Sequence, residues 1–188
     1  MGGNPIRAIG CSDDSRELFD DPVGEPDIAG CSGAWDVPGL STPASMTPGC
    51  NRQAGNDGMN AAGIGCSVED LCAEGWAVCV SSAEVAMKAA TGMCPASGPT
   101  GMWATRQGGM AGNEECQDGD PDDITGCGYA LGLPAGLTCA PLNRVLHHPA
   151  CTSAINWDCA DQATYVTTEQ EIVTKPGIGQ GGVLCCRQ

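Results

Sequence analysis

The clearest periodicity in the chain lies between Ser67 and Gly92. Trp76, Val78 and Val80 alternate with Ala77 and Cys79, the period-two pattern of a strand with one buried face. The period then lengthens. Val85, Ala86, Ala89 and Ala90 give a helix predicted over 82–91 a small-residue face fit for close packing on a sheet. Ser81 and Glu84 have capping-box spacing at its start, and Glu84 and Lys88 are an i, i+4 pair in the favourable order. Gly92 stands where a left-handed cap belongs. Upstream, Ser67 and Asp70 repeat the capping box and open a short helical turn through Val68 and Leu71, stopped by Gly75.

Elsewhere the patterns are short. Residues 102–105, 164–168, 171–175 and 183–186 read as strands, with PGIGQGG as the last turn. Thr168 and Glu171 alternatively cap a helical turn. Residues 106–141 are dominated by Gly, Asp and Pro and read as loop. Residues 11–30 hold seven of the 23 acids, with Leu18 and Phe19 as their only large anchors. Residues 32–49 are rich in Pro, Gly, Ser and Thr, and STPASMTP within them suits O-linked sugars by composition. The organisation expected is an acidic, Pro/Gly-rich arm over 1–50 and a disulfide-stabilised α+β domain over 51–188. Its fold class is a small, disulfide-rich, loop-dominated single domain with one main helix packed on short antiparallel strands.

Composition changes this picture in one respect. Ile, Leu, Val and Phe make only 28 of the 188 residues, and the net charge is −15, a combination that leans toward disorder. Fourteen dispersed cysteines reverse that reading, because an even, dense set marks a disulfide framework in place of a thick core. Each native bridge in a small secreted domain contributes about 2–5 kcal/mol. An extracellular location follows, with a signal segment expected to precede this numbering, since MGGNPIRAIGC has neither a basic nor an apolar signal region. No apolar run is long enough to cross a membrane. The eight basic residues are scattered singly, so no stripe exists that would displace counterions from a nucleic acid or an anionic membrane.

Candidate chemistry is sparse. Asp118, Asp120, Asp122 and Asp123 present carboxylates on a tight turn between Cys116 and Cys127, the hard oxygen ligands that calcium prefers. Pro121, Asp123 and Tyr129 occupy positions that rule out an EF-hand. Asp20, Asp21, Glu25 and Asp27 form a second acidic group. His147 and His148 are adjacent on a loop, point opposite ways in extended chain, and make a poor joint metal site. No G-x-S-x-G elbow is present. Cys185 and Cys186 face opposite sides of a terminal strand, so two different partners are expected, one on each face. The four tryptophans are expected to form the main mass of a thin core.

Cys72-x3-Trp76-x-Val78-Cys79, the Ser81-x-x-Glu84 helix start, Asn156-Trp157-Asp158-Cys159 and the final GGVLCC resemble the C-type-lectin-like fold. That resemblance implies an early helix and a terminal strand bracketing long, cysteine-tied loops. It also implies a calcium-dependent sugar site, with Trp103 or Trp157 facing the sugar. The family's sugar-binding triplets are matched only by Glu25-Pro26-Asp27 and Asn156-Trp157-Asp158, one misplaced and one reordered. AEGWAVC, ATRQ, DDITGCG and GGVLCC also resemble cysteine-rich secreted bacterial domains of unassigned function. The function expected is a non-enzymatic extracellular structural subunit that self-associates into a fibre, coat or matrix, with calcium as its candidate cofactor. The alternative is a C-type-lectin-like module binding glycans.

Overall fold

The last strand organises the molecule. The computed structural model describes residues 9–109, 123–129, 139–146, 151, 154–159 and 169–188. Strand β6 (Gly181–Arg187) carries β1 (Ile28–Ser32) antiparallel along one whole edge, from Ile28 opposite Cys186 to Ser32 opposite Gly182. Its other edge is shared. β3 (Gly101–Gly109) runs parallel to the first half, and β2 (Trp76–Val78) runs antiparallel to the second. β4 (Asp123–Tyr129) pairs with β3, and β5 (Arg144–Leu146) pairs with β4, both antiparallel. Helix α1 (Ser82–Lys88), a 3-10 turn (Val68–Leu71) and a helical turn α2 (Glu169–Ile172) complete the α+β fold.

Both faces of the sheet are covered, which is why β6 is buried at six consecutive positions. Val183 and Cys185 point into a cluster with Trp35, Leu40, Leu71 and Trp76. Leu184 and Cys186 point into another with Leu18, Phe19, Val85 and Trp103. The adjacent cysteines follow this alternation. Cys185 bonds Cys72 and Cys186 bonds Cys79, one bridge on each face. Cys66 and Cys94 reach out to Cys50 and Cys127, and Cys11–Cys31 and Cys151–Cys159 make six bridges among the described residues. Cys139 is bonded as well, and no described cysteine is free. The 67–91 unit therefore serves as an anchor from which loops on both sides hang. All four tryptophans are buried core residues.

Both caps form. The Ser81 hydroxyl accepts from the Glu84 amide at 3.2 Å, and the Asp70 carboxylate accepts from the Ser67 amide at 2.8 Å. α1 is shorter than its pattern, ending at Lys88, because Ala89 leaves the helix at ψ 130°. Gly92 (φ +68°) instead shapes the turn beyond it. Only Val85 and Ala89 face inward. Val80 is exposed, so the strand stops at Val78. Of the two readings for 171–175, the helical turn holds through Ile172, and Thr174 and Lys175 make single bridges to Asp158 and Trp35.

The segment read as an arm packs into the fold. Ile28–Ser32 is buried at every position and Leu18 bridges Gly30, so residues 9–50 do not extend from the domain. A strand buried on both faces shows no alternation, which hides it in sequence. β4 was hidden within the stretch read as loop, for a different reason. A Cβ at Gly126 would collide with the Trp103 carbonyl and one at Gly128 with the Gly101 carbonyl, so these glycines let β4 lie close on β3. The β3–β6 pairing is parallel, so the sheet is mixed and not purely antiparallel.

Candidate functional site

Of the four aspartates expected to bind calcium, Asp118, Asp120 and Asp122 lie outside the described residues, as do His147 and His148. Asp123 opens β4 opposite Gly109 and is 2% exposed. The second acidic group is organised around an internal cation. Arg16 donates to the carbonyls of Ile9, Phe19 and Glu25 and stacks 5.7 Å from the Trp76 ring. Burial lowers its pKa, and Glu25, Asp21 and Asp20 oppose that shift. Asp27 pairs with Arg187 at 3.8 Å, and the Glu25 carboxylate accepts from the Ala90 amide.

Two clusters of metal-ligand type occur among the described residues: Cys50, Cys66 and Asp70, and Cys79, Glu84 and Cys186. Each contains a disulfide-bonded pair. A bonded sulfur is not the thiolate a metal needs, so neither cluster is a metal centre in the oxidised protein.

The buried charges form a set of anchors. The Asp70 carboxylate accepts from the backbone amides of Gly49, Cys50, Arg52 and Ser67 and from the Ser67 hydroxyl. Asn51 and Arg52 both have positive φ, and their turn gathers these amides into an anion nest. Glu69, beside it, pairs with Arg106 at 2.7 Å and Arg52 at 3.7 Å, and accepts from the Val78 amide. Arg106 also donates to the Leu40 and Ser45 carbonyls. Burial lowers the Arg106 pKa, opposed by Glu69.

Lys175 is as fully buried as Asp70, with 0% exposure. Its Nζ donates to the carbonyls of Gly177 (2.6 Å) and Gly179 (2.7 Å) and lies 5.9 Å from the Trp157 ring centroid. Trp157 stands edge-on to Trp35 and donates Nε1–H to the Gln180 carbonyl. The amine thus fastens the PGIGQ loop from beneath. Burial lowers its pKa to about 7, with the Glu17 carboxylate opposing. Glu17 itself is raised by burial, opposed by its bonds from the Ser32 amide and the Ser15 hydroxyl.

Sequence patterns singled out neither Lys175, which sits in a strand-like run, nor Glu69, which sits in a capping turn. Trp103 and Trp157 are 1% and 5% exposed, and each indole N–H is bonded inward, to Ser32 and to Gln180. Neither faces a sugar, which corrects that expectation. A cavity of about 50 Å³ lies against Glu17, Phe19, Asp20, Pro95 and Pro99, room for only a few waters.

The described surface exposes several large apolar side chains. Val23, Met59, Ile64, Met87 and Ile155 are each more than 60% exposed. α1 is apolar on its outer side as well as its inner one, with Ala83, Ala86 and Met87 exposed. No described helix is long and apolar enough to cross a membrane. Comparison with protein-family models, with curated proteins and with solved structures finds no match.

Proposed function

We propose that the protein is a non-enzymatic, secreted structural subunit that associates with copies of itself. The carrying observation is how its buried polar groups are committed. Asp70, Arg106 and Lys175 bond backbone groups of loops at 49–52, 40–45 and 177–179, Glu69 bonds Arg106 and the Val78 amide, and disulfides from Cys72 and Cys79 tie the chain on either side of β2 to β6. Such a chain holds loops rigid with little core, which suits a load-bearing or packed role outside the cell; many disulfides are typical of extracellular proteins. The exposed Met and Ile side chains supply apolar contact area on an otherwise strongly acidic molecule.

Size-exclusion chromatography with light scattering tests this on the unreduced chain. Measurements with calcium and with chelator cover the aspartates at 118–123. Species larger than a monomer, growing with concentration, are expected. A monomer at every concentration and calcium level rejects the proposal.

A further inference from the structure

We propose that Met46, Met59, Met87 and Met93 are oxidation sites, at which the folded chain takes up oxygen from peroxides and keeps its structure. This activity goes beyond the subunit reading and does not depend on it. Methionine is ordinarily among the most buried residue types. Here these four of the five described methionines are 49%, 86%, 74% and 51% exposed, in chain order, and only Met102 is buried, at 0%. Leucine is sorted the opposite way. The described leucines, Leu18, Leu40, Leu71, Leu142, Leu146 and Leu184, are all at most 2% exposed. The two side chains are close in volume and exchange at small cost in a core. What sets the outer positions apart is therefore the thioether.

The other readily oxidised groups are withdrawn. The four tryptophans are at most 5% exposed, and no described cysteine is free. A peroxide that reaches the described surface meets thioethers first. Each reaction is a two-electron oxygen transfer. The sulfur lone pair attacks the outer oxygen of the peroxide, the S–O bond forms as the O–O bond breaks, and the hydroxyl proton passes to the departing oxygen. Sulfur is oxidised to the sulfoxide, and the peroxide is reduced to water or an alcohol. Reductases that draw on thiols return the sulfoxide to the thioether.

Placement decides what the fold feels. A sulfoxide is polar. At Met102, packed in the cluster with Trp35 and Val183, it would stand in the core without a hydrogen-bond donor. At the four outer positions the new oxygen faces water and little packing is given up. These positions also lie on separate segments: the turn after Thr42, the loop closed by Cys50–Cys66, α1, and the turn beyond it. No single element carries the whole change.

Hydrogen peroxide treatment of the full, disulfide-intact chain, read methionine by methionine in peptide mass spectrometry, tests the assignment. N-acetylmethionine serves as the rate standard. Met46, Met59, Met87 and Met93 should convert at rates close to the standard, and Met102 about tenfold or more slowly. Near-ultraviolet circular dichroism and the guanidinium midpoint should not move once the four are converted. A variant carrying Met46→Leu, Met59→Leu, Met87→Leu and Met93→Leu should fold as the parent does and take up four fewer oxygens. Three results would overturn the assignment: Met102 converting as fast as the four, any of the four resisting peroxide as Met102 does, or a loss of near-ultraviolet signal in the parent that the leucine variant does not share.

Discussion

Lys175 offers the sharpest physical prediction. Its pKa falls from an ordinary 10.5 to about 7 because burial removes the ammonium from water, a loss that the Glu17 carboxylate and the Gly177 and Gly179 carbonyls offset only in part. Between those values the unfolded chain binds a proton that the folded chain does not. Stability therefore rises with pH across this window, and it is lost as pH falls toward 7, below which the penalty is constant. One pKa shift unit corresponds to about 1.4 kcal/mol, so the full penalty on the charged form is about 4–5 kcal/mol. About 3–4 kcal/mol of it is relieved between about pH 7 and pH 10. Glu17, the carboxylate that opposes the Lys175 shift, has its own pKa raised. Its contribution runs the other way, with stability lost as pH rises from the ordinary carboxylate range through the raised value. Guanidinium unfolding of the oxidised protein at both pH values, followed by tryptophan fluorescence, reads the slope. No described cysteine is free to start disulfide exchange at alkaline pH. The parent should gain stability toward pH 10, and Lys175→Met should flatten the dependence whatever its own stability at pH 7. Equal slopes in the two proteins would refute the buried-amine reasoning.

Other consequences are as direct. Asp70→Ala removes the acceptor for four backbone amides and should destabilise by about 3 kcal/mol or more. Hydrogen exchange at Gly49, Cys50 and Arg52 should rise selectively. Arg106→Met leaves the Glu69 carboxylate without its 2.7 Å partner and should lower stability by about 3–5 kcal/mol in denaturant titration. Gly126→Ala drives a methyl group against the Trp103 carbonyl and should cost about 1–3 kcal/mol, read as a lower melting temperature with the β3–β4 amides exchanging faster.

The sequence revealed local features more readily than distant ones. Both caps were legible, because a capping box is a relation between residues three apart. The opposite-face bonding of Cys185 and Cys186 was legible too, because strand alternation alone requires it. β1 and β4 were not. One is buried on both sides and shows no period; the other depends on glycines whose purpose is the backbone lying opposite. The anchors failed to show for a related reason. Asp70 carries a cap that sequence predicts and a nest of amides from residues 49–52 that it cannot, since their approach depends on the chain returning. Arg16 drew no notice among the acids of 13–27, because the three carbonyls it bonds, those of Ile9, Phe19 and Glu25, are brought together only by the fold.

Negative-stain electron microscopy of the native, unreduced protein, with calcium and then with chelator, tests self-association most directly. A structural subunit should give regular filaments, sheets or defined oligomers. Uniform small particles under both conditions, at concentrations where the protein is folded and fully bridged, would contradict it.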